Sequence, residues 1–167
     1  MNWNIRDRSV ARLLLSVAFL FDLNAAMAQS AERINFGKQI FREKANCGYC
    51  HGWAGDGNGD PHSGGGAANL RETALDHDQL AEVIGCGRPA SNMPHFNQFA
   101  WSEDKCYGMM EAEVGKDIPG PPTASLQPRE IDAVIADLEA KVIRRGPVTK
   151  AECLEFFGSG SGCDPYP

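Results

Sequence analysis

The sequence is short of positive charge, of long apolar runs and of repeated patterns, and each shortage excludes a class of protein. Its 16 Lys and Arg residues are outnumbered by 22 Asp and Glu residues, which gives a formal net charge of −6. An acidic surface repels nucleic acid and anionic membranes, so neither is an expected partner. No internal repeat and no β-hairpin signal occur, and no segment reaches the ~18 apolar residues that a spanning helix needs.

Residues 1–28 are predicted to be a secretory signal peptide. Arginines at positions 6, 8 and 12 form a basic start, an apolar stretch follows at 13–21, and Ala26-Met27-Ala28 has the small-x-small pattern of a cleavage site. The apolar stretch is about half the length of a spanning helix and is interrupted by Asp22. We therefore expect the mature protein to be exported to the periplasm, to lack stable membrane insertion and to form one domain.

The motif Cys47-Gly48-Tyr49-Cys50-His51 carries the strongest functional signal in the chain. A C-x-x-C-H run is the attachment site of a c-type haem. The two thiols add to the haem vinyl groups, and the adjacent imidazole is placed to bind the iron. The motif therefore predicts one covalent haem c, attached through Cys47 and Cys50, with His51 as an axial ligand.

Three other interpretations compete for the same residues. A thioredoxin-like disulfide isomerase would need a buried strand before the motif and a helix beginning at it, because that setting lowers the thiol pKa. Residues 34–44 instead have the pattern of an amphipathic helix, and the glycine-rich stretch 52–66 does not start a stable helix. A zinc ribbon would need a second C-x-x-C, which the sequence lacks. Two structural cysteines beside an unrelated histidine remain an alternative.

The cysteines after the motif are Cys86, Cys106, Cys153 and Cys163. An even number in an exported protein is typical of disulfides, and four cysteines allow three pairings. The pairs Cys86–Cys106 and Cys153–Cys163 close the shortest loops, so we favour that pairing.

Capping signals and periodicity predict two helices before residue 90. Ser30 is a candidate N-cap for the first helix, which is expected to run to about Ala45. Asp76, with Gln79 as its capping-box partner, is predicted to begin the second helix, and Gly85 to end it.

A third and more regular helix is predicted near the C-terminus. Pro128 lies in its first turn, and Arg144 and Arg145 lie in its last turn. One face of this helix is expected to be buried, comprising Ile131, Val134, Ile135, Leu138 and Val142. Residues 95–125 are predicted to be irregular, and residues 148–167 to be a tail whose only evident anchor is a disulfide loop.

Met93 is the leading candidate for the second axial ligand. Pro89 and Pro94 stiffen the loop around it, so its thioether can be held in place without a helix or strand beneath it. Its polar surroundings are atypical of a methionine that fills a core. The less favoured candidates are His95, Met109, Met110, His62 and His77.

The chain resembles the class I cytochrome c family over residues 30–145. The resemblance is carried by Gly37 and Phe41 in the first helix, the C-x-x-C-H motif, Asn69-Leu70, Gly85, Met93-Pro94 and a closing amphipathic helix. It implies a small all-α fold wrapped around one covalently bound haem c. It also implies that Cys47 and Cys50 are the thioether positions and that His51 and Met93 are the axial ligands and bind the iron.

Two segments extend beyond the minimal domain of that family. The cytochrome c domain is expected at 29–147 and includes the irregular insertion 95–125, and a C-terminal extension that is predicted to be disulfide-looped follows at 148–167. Because Met93 lies inside the loop that a Cys86–Cys106 disulfide would close, that disulfide is expected to restrain the methionine loop.

The chain also departs from the family at two positions near the haem. The last helix of family members commonly carries an aromatic residue that faces the first helix, where this chain has Asp137. Many members use a proline carbonyl to accept the N–H of the proximal imidazole. No proline is suitably placed here, so we expect the carbonyl of Ala67 or Ala68 to serve instead.

The resemblance implies an electron-transfer protein and not an enzyme, because two protein ligands leave no open iron position. We expect a periplasmic one-electron carrier whose partners are redox proteins, namely a donor dehydrogenase and an acceptor cytochrome or oxidase. The first alternative is a dedicated haem subunit or acceptor of a periplasmic dehydrogenase, such as a quinoprotein alcohol dehydrogenase. A haem enzyme or ligand sensor, and a thiol–disulfide isomerase, are the others.

Overall fold

The computed structural model describes residues 27–102 and 106–167. Throughout these residues the regular structure is helical, and no β-strand occurs beyond an isolated bridge between Cys106 and Met109. The predicted all-α fold is confirmed. The predicted signal peptide, residues 1–28, lies almost entirely outside the described residues. Among the helices of the described part, none has both the length and the apolar character needed to cross a membrane.

Residues 34–167 form one compact unit, and the described residues before them, 27–33, belong to another. The helices, in chain order, are α1 (helical from the first described residue to 39), α2 (Gly48–His51), α3 (His77–Cys86), α4 (Glu111–Val114), α5 (Pro128–Lys141) and α6 (Lys150–Phe157). A π-helical turn, Ile40–Lys44, follows α1. Short 3₁₀ turns occur at Leu70–Glu72, Gly115–Asp117 and Ser161–Cys163.

The first helix differs from the prediction at its start. Ser30 lies inside α1 and not at its N-cap, so that prediction is wrong. The π-helical turn then widens the backbone by one residue, with the Ala45 N–H bonding the Ile40 carbonyl at 2.9 Å. As a result Ile40 and Phe41 are both buried, at 2% and 6% exposure.

The second predicted helix is confirmed at its start and is longer at its end. Asp76 and Gln79 form the predicted reciprocal capping box at the start of α3. The helix continues through Gly85 to Cys86, and Gly87 follows it with a positive φ of 66°. Glycine tolerates that backbone conformation, so Gly87 and not Gly85 marks the end.

The third predicted helix, α5, begins at Pro128 as expected and ends at Lys141. Its predicted face is buried except for Val142, which is partly exposed. Arg144 and Arg145 lie beyond the helix, because the Arg144 N–H bonds the Arg71 carbonyl at 2.9 Å instead of a carbonyl within α5.

The start of the compact unit and α5 pack closely enough to exclude a side chain. A Cβ atom at Gly37 would lie 1.9 Å from the Ala133 carbonyl oxygen, so only glycine permits this contact. Beside it, Lys44 forms a salt bridge of 2.7 Å with Glu130, whose side chain is 10% exposed. The backbone N–H of Gln127 and the Lys44 ammonium both hold the pKa of Glu130 below its ordinary value.

The insertion 95–125 folds into a second small core. Trp101 is buried within it, and its indole Nε1–H donates to the Cys86 carbonyl at 2.9 Å. The Tyr107 hydroxyl donates to the Gly87 carbonyl. The insertion is therefore bonded to the end of α3, immediately before the segment that contains Met93.

Both disulfides of the structure are the pairs that close the shortest loops, Cys86–Cys106 and Cys153–Cys163. The second one belongs to the C-terminal extension, where the structure adds a helix that the sequence did not suggest. Thr149 caps α6 through a reciprocal capping box with Glu152. Because α6 is only two turns long, its periodicity gave no clear signal.

Candidate functional site

The cysteine–histidine motif forms a single helical turn. Cys47 is the N-cap of α2, and its N–H bonds the Phe41 carbonyl at 2.8 Å, which ties the motif to the preceding π-helical turn. The His51 N–H bonds the Cys47 carbonyl at 2.9 Å. Residues spaced by three or four positions share one side of a helical turn, so Cys47, Cys50 and His51 face the same way.

The two thiols of the motif are the free cysteines of the chain, since the other four are paired in disulfides. Burial raises the pKa of Cys47 to about 12. A thiol that exchanges disulfides needs a lowered pKa, because the thiolate is the reactive form. The environment of Cys47 therefore argues against the thiol–disulfide isomerase.

The imidazole of His51 is oriented by one backbone carbonyl. Its Nδ1 lies 2.9 Å from the Ala68 oxygen, and because a carbonyl only accepts, Nδ1 carries the proton and donates. Burial lowers the pKa of His51, which favours the neutral ring. In that tautomer Nε2 has a free lone pair, as a metal-binding histidine requires. Of the two expected acceptors, Ala67 and Ala68, the structure selects Ala68.

The segment after Ala68 is held in place by its own hydrogen bonds. The Asn69 side chain accepts from the Arg71 N–H at 2.9 Å and caps the short turn Leu70–Glu72. The Leu70 N–H bonds the Gly55 carbonyl at 2.7 Å. These bonds join the segment to the loop that follows the motif.

Met93 lies in a loop that folds back on the end of α3. Its carbonyl accepts from the Arg88 N–H at 3.2 Å, and its N–H donates to the Ser91 hydroxyl at 3.2 Å. The side chain is partly buried against the main hydrophobic core, which Cys47 also contacts. Gly87 is required beneath this loop, because a Cβ atom there would lie 2.7 Å from the Met93 oxygen.

The other two methionines considered as ligands lie in surroundings that differ from those of Met93. Met109 packs against the second core, formed by the insertion, and Met110 is 40% exposed. Neither packs against the core that Cys47 and Met93 share.

The competing histidines divide into two groups. His62 and His77 face carboxylates near the surface, the former at 2.9 Å from Asp60. His95 is partly buried, and its Nδ1 donates to the Asn97 carbonyl at 2.9 Å, which leaves its Nε2 free. His95 is therefore the second candidate after Met93.

These residues fit a c-type haem by their chemistry. Two unpaired thiols three residues apart precede a histidine whose ring is fixed in the metal-binding tautomer. A methionine whose side chain lies against the same core is the candidate for the softer ligand. In the described residues no group of His, Cys, Asp and Glu forms a separate metal cluster.

The structure also brings together residues that the sequence did not single out. Trp53 packs against three aromatic rings of the C-terminal extension, Phe156, Phe157 and Tyr166, with centroid distances of 4.9, 5.3 and 6.0 Å. The expectation that a disulfide loop is the only anchor of the extension is therefore wrong. The three aromatic residues among the last 20 positions were the one feature of the sequence that hinted at this contact.

Arg71 is the second residue that sequence reasoning missed. Its side chain is 3% exposed and forms a 3.0 Å salt bridge with Glu152 of α6. No short-range pattern identifies a lone arginine whose partner is 81 residues away.

Comparison with protein families gives one match. The model of the family described as cytochrome c oxidase, cbb3-type, subunit III matches residues 32–111. The matched segment includes the cysteine–histidine motif, Ala68 and Met93, and it ends before α5. Neither a curated protein nor a solved structure matches the chain. Together with the motif and the helical fold, this match supports a c-type cytochrome domain over residues 32–111, and such a domain implies binding of haem c and electron transfer with redox partners.

Proposed function

We propose that the protein is a periplasmic one-electron carrier with a single covalent haem c. The observation that carries the proposal is the 2.9 Å contact between His51 Nδ1 and the Ala68 carbonyl, next to two unpaired thiols. That contact leaves His51 Nε2 free for iron, and no disulfide competes for the thiols.

Each residue of the site has one role in this proposal. Cys47 and Cys50 attach the haem, His51 is the proximal ligand and Met93 is the distal ligand. When bound, the haem supplies an iron that cycles between the ferrous and ferric states. With His51 and Met93 both binding the iron, no iron position would be open to a substrate and the reduction potential would be raised, so these side chains favour electron transfer over substrate binding.

The expected partners are a donor dehydrogenase and an acceptor cytochrome or oxidase. The net charge of −6 favours partners with basic docking surfaces. Carriers of this kind form small and transient interfaces, commonly below about 1,200 Å².

A second candidate is a dedicated haem subunit or acceptor of one enzyme, for example of a quinoprotein alcohol dehydrogenase. It is favoured by the matched family, whose description names an enzyme subunit, and by the ordered insertion and extension. Purification of the haem-loaded protein from periplasm separates the two candidates. A stoichiometric enzyme partner indicates the subunit, whereas a monomer that exchanges electrons with several proteins indicates the carrier.

Haem attachment is tested by expressing the full chain in a host competent for cytochrome maturation. We expect a pyridine haemochrome spectrum of a c-type haem that persists after denaturation, and a mass increase of one haem on the mature chain. The double variant Cys47→Ser/Cys50→Ser should retain no haem after denaturation. A colourless wild-type protein, or a ferrous protein that readily binds carbon monoxide, would contradict the proposal.

The distal ligand is tested separately with Met93→Ala. We expect loss of the weak thioether-to-ferric-iron absorption and a lower reduction potential, because the softer ligand that stabilises ferrous iron is removed. His95→Ala is the matched control and should leave both unchanged. A wild-type protein that lacks this absorption, with a reduction potential that changes in His95→Ala and not in Met93→Ala, would assign the ligand to His95.

A further inference from the structure

Arg71 is a buried cation with several acceptors and one negative partner. The residue is 4% exposed, and its guanidinium donates to the Ala54 carbonyl at 3.4 Å and to carbonyls that follow α5, at Arg145, Gly146 and Pro147. The charge is balanced by Glu152, whose two carboxylate oxygens lie 3.0 and 3.2 Å from Nη2. A buried charge needs such a partner, because desolvation is otherwise costly.

The carboxylate of Glu152 is held both by Arg71 and by the first turn of its own helix. Although burial opposes ionisation, hydrogen bonds from the Thr149 backbone and from Arg71 lower the pKa of Glu152. The Thr149 N–H lies 2.9 Å from the Glu152 carboxylate, within the capping box of α6. Glu152 is thus a charged residue whose position is set by the C-terminal extension.

Arg71 lies three positions after the carbonyl that orients His51. Its own carbonyl accepts from the Arg144 N–H at 2.9 Å, and its N–H is held by the Asn69 side chain. Both its backbone and its side chain are therefore anchored, and the short segment back to Ala68 is held at this end. At the other end, the Ala68 carbonyl accepts from His51 Nδ1.

We propose that Glu152 is a positioning residue for His51, which acts through Arg71 and the Ala68 carbonyl. The C-terminal extension is thereby part of the support of the haem site and not only a stabilising addition. The inference rests on the proposed role of His51 as an iron ligand.

The physical consequence concerns the imidazole. A strong hydrogen bond from Nδ1 to a carbonyl makes Nε2 a better electron donor and stabilises the ferric state. Loss of the Glu152 charge leaves the buried Arg71 cation without its negative partner, so the guanidinium shifts toward water, the 68–71 segment moves with it and that bond is weakened. The reduction potential should then rise, and the Nδ1 proton should exchange with water faster.

The test compares Glu152→Gln with Glu155→Gln in the haem-loaded full chain. Gln at position 152 still serves as a capping-box residue, so α6 is preserved while the charge is lost. Glu155 is exposed on the same helix and gives the same change of net charge without touching Arg71. We expect the Glu152 variant to show at least tenfold faster exchange of the His51 Nδ1 proton by NMR and a higher reduction potential, with Glu155→Gln unchanged.

Glu152→Asp keeps the charge and should restore most of both properties. Equal exchange rates and potentials in the two glutamine variants would overturn the proposal, as would a change confined to the free energy of unfolding. Should Glu152→Gln not fold, Arg71→Lys is compared with Glu155→Gln, because lysine keeps the charge but cannot make the bonds of the guanidinium to Glu152 and to the carbonyls. Equal exchange rates of the His51 Nδ1 proton in those two variants would again overturn the proposal. Failure of wild-type protein to attach haem would instead count against the proposed function, so the two failures are distinguishable.

Discussion

The insertion 95–125 and the extension 148–167 both contain a cysteine of a disulfide, but they are joined to the site by different forces. The insertion is tied to α3 by the Cys86–Cys106 bond and by neutral donors, Trp101 and Tyr107, on the side of the chain that leads to Met93. The extension is joined to the 68–71 segment by the buried ion pair of Arg71 and to Trp53 by aromatic packing.

The two attachments should respond to different perturbations. A covalent bond restricts the loop that contains Met93 whatever the pH, and it is lost on reduction. A buried ion pair depends on both charges, and it fails when one partner is removed. The comparison predicts that changes in the insertion alter the methionine ligand, whereas changes in the extension alter the histidine side.

The largest expected effect is that of Trp53→Ala. Removal of a large aromatic side chain from a packed cluster costs about 3 kcal/mol, the lower end of the usual range because Trp53 is only partly buried. Chemical denaturation measures this change in the free energy of unfolding, and limited proteolysis should cleave within 148–167 faster. Phe99→Ala, at a 44% exposed aromatic of the insertion, is the control and should cost under ~1 kcal/mol. Equal costs would show that the cluster does not anchor the extension.

Removal of the disulfides separates the two regions most directly. The loops span 20 residues for Cys86–Cys106 and 10 for Cys153–Cys163, so chain entropy predicts a similar loss of about 3 kcal/mol for each double serine variant. Only the Cys86→Ser/Cys106→Ser variant should lose its methionine ligand more easily, measured as displacement by added imidazole. Easier displacement in both variants would remove the distinction between the regions.

Gly87→Ala tests the loop of Met93 without touching a disulfide. Alanine would be strained at a φ of 66°, and its Cβ would lie 2.7 Å from the Met93 oxygen, so the loop must shift at a cost of about 2 kcal/mol. Gly108→Ala is matched, because it has a φ of 74° with no atom near the added Cβ. We expect partial loss of the thioether absorption in the first variant only. An equal loss of the absorption in both variants would show that backbone strain alone, and not the contact with the Met93 oxygen, causes it.

The smallest expected effect concerns Asp137, which lines a cavity of about 310 Å³ together with Trp53 and Phe156 of the extension contact. Its Oδ1 is buried without a hydrogen-bond partner, and burial raises its pKa from 3.8 to about 6, against the opposing charges of Lys38 and Lys141. The folded state therefore holds this proton more tightly than the unfolded state, and stability falls as the pH rises from 3.8 to about 6.

Asp137→Asn should remove that dependence. The variant should be close to the wild type in stability near about pH 4 and more stable than the wild type near about pH 7, measured by denaturation at both values. A wild-type protein that is the more stable of the two at the higher pH would show that the carboxylate finds a partner on ionisation. An uncharged side chain at position 137 would also sharpen the comparison. It should stabilise the contact of the extension beside the cavity and leave the insertion unchanged.

Much of the fold follows from signals that act over a few residues. The capping box of Asp76 and Gln79 and the proline at the start of α5 both proved correct, because such contacts form within one helical turn. The start of α1 and the end of α3 were wrong, because helix ends depend on neighbours that periodicity does not reveal. The short helix α6 was missed for the same reason.

The sequence by itself determined the chemistry of the site: two spaced thiols, the adjacent histidine and a proline-bounded methionine are local patterns with few meanings. Only the tertiary structure decided which carbonyl orients His51, where the extension docks and how the charge of Arg71 is balanced. These contacts join residues from 17 positions apart, for His51 and Ala68, to 103 positions apart, for Trp53 and Phe156, and the chain selects them by packing and by the need to satisfy buried polar groups.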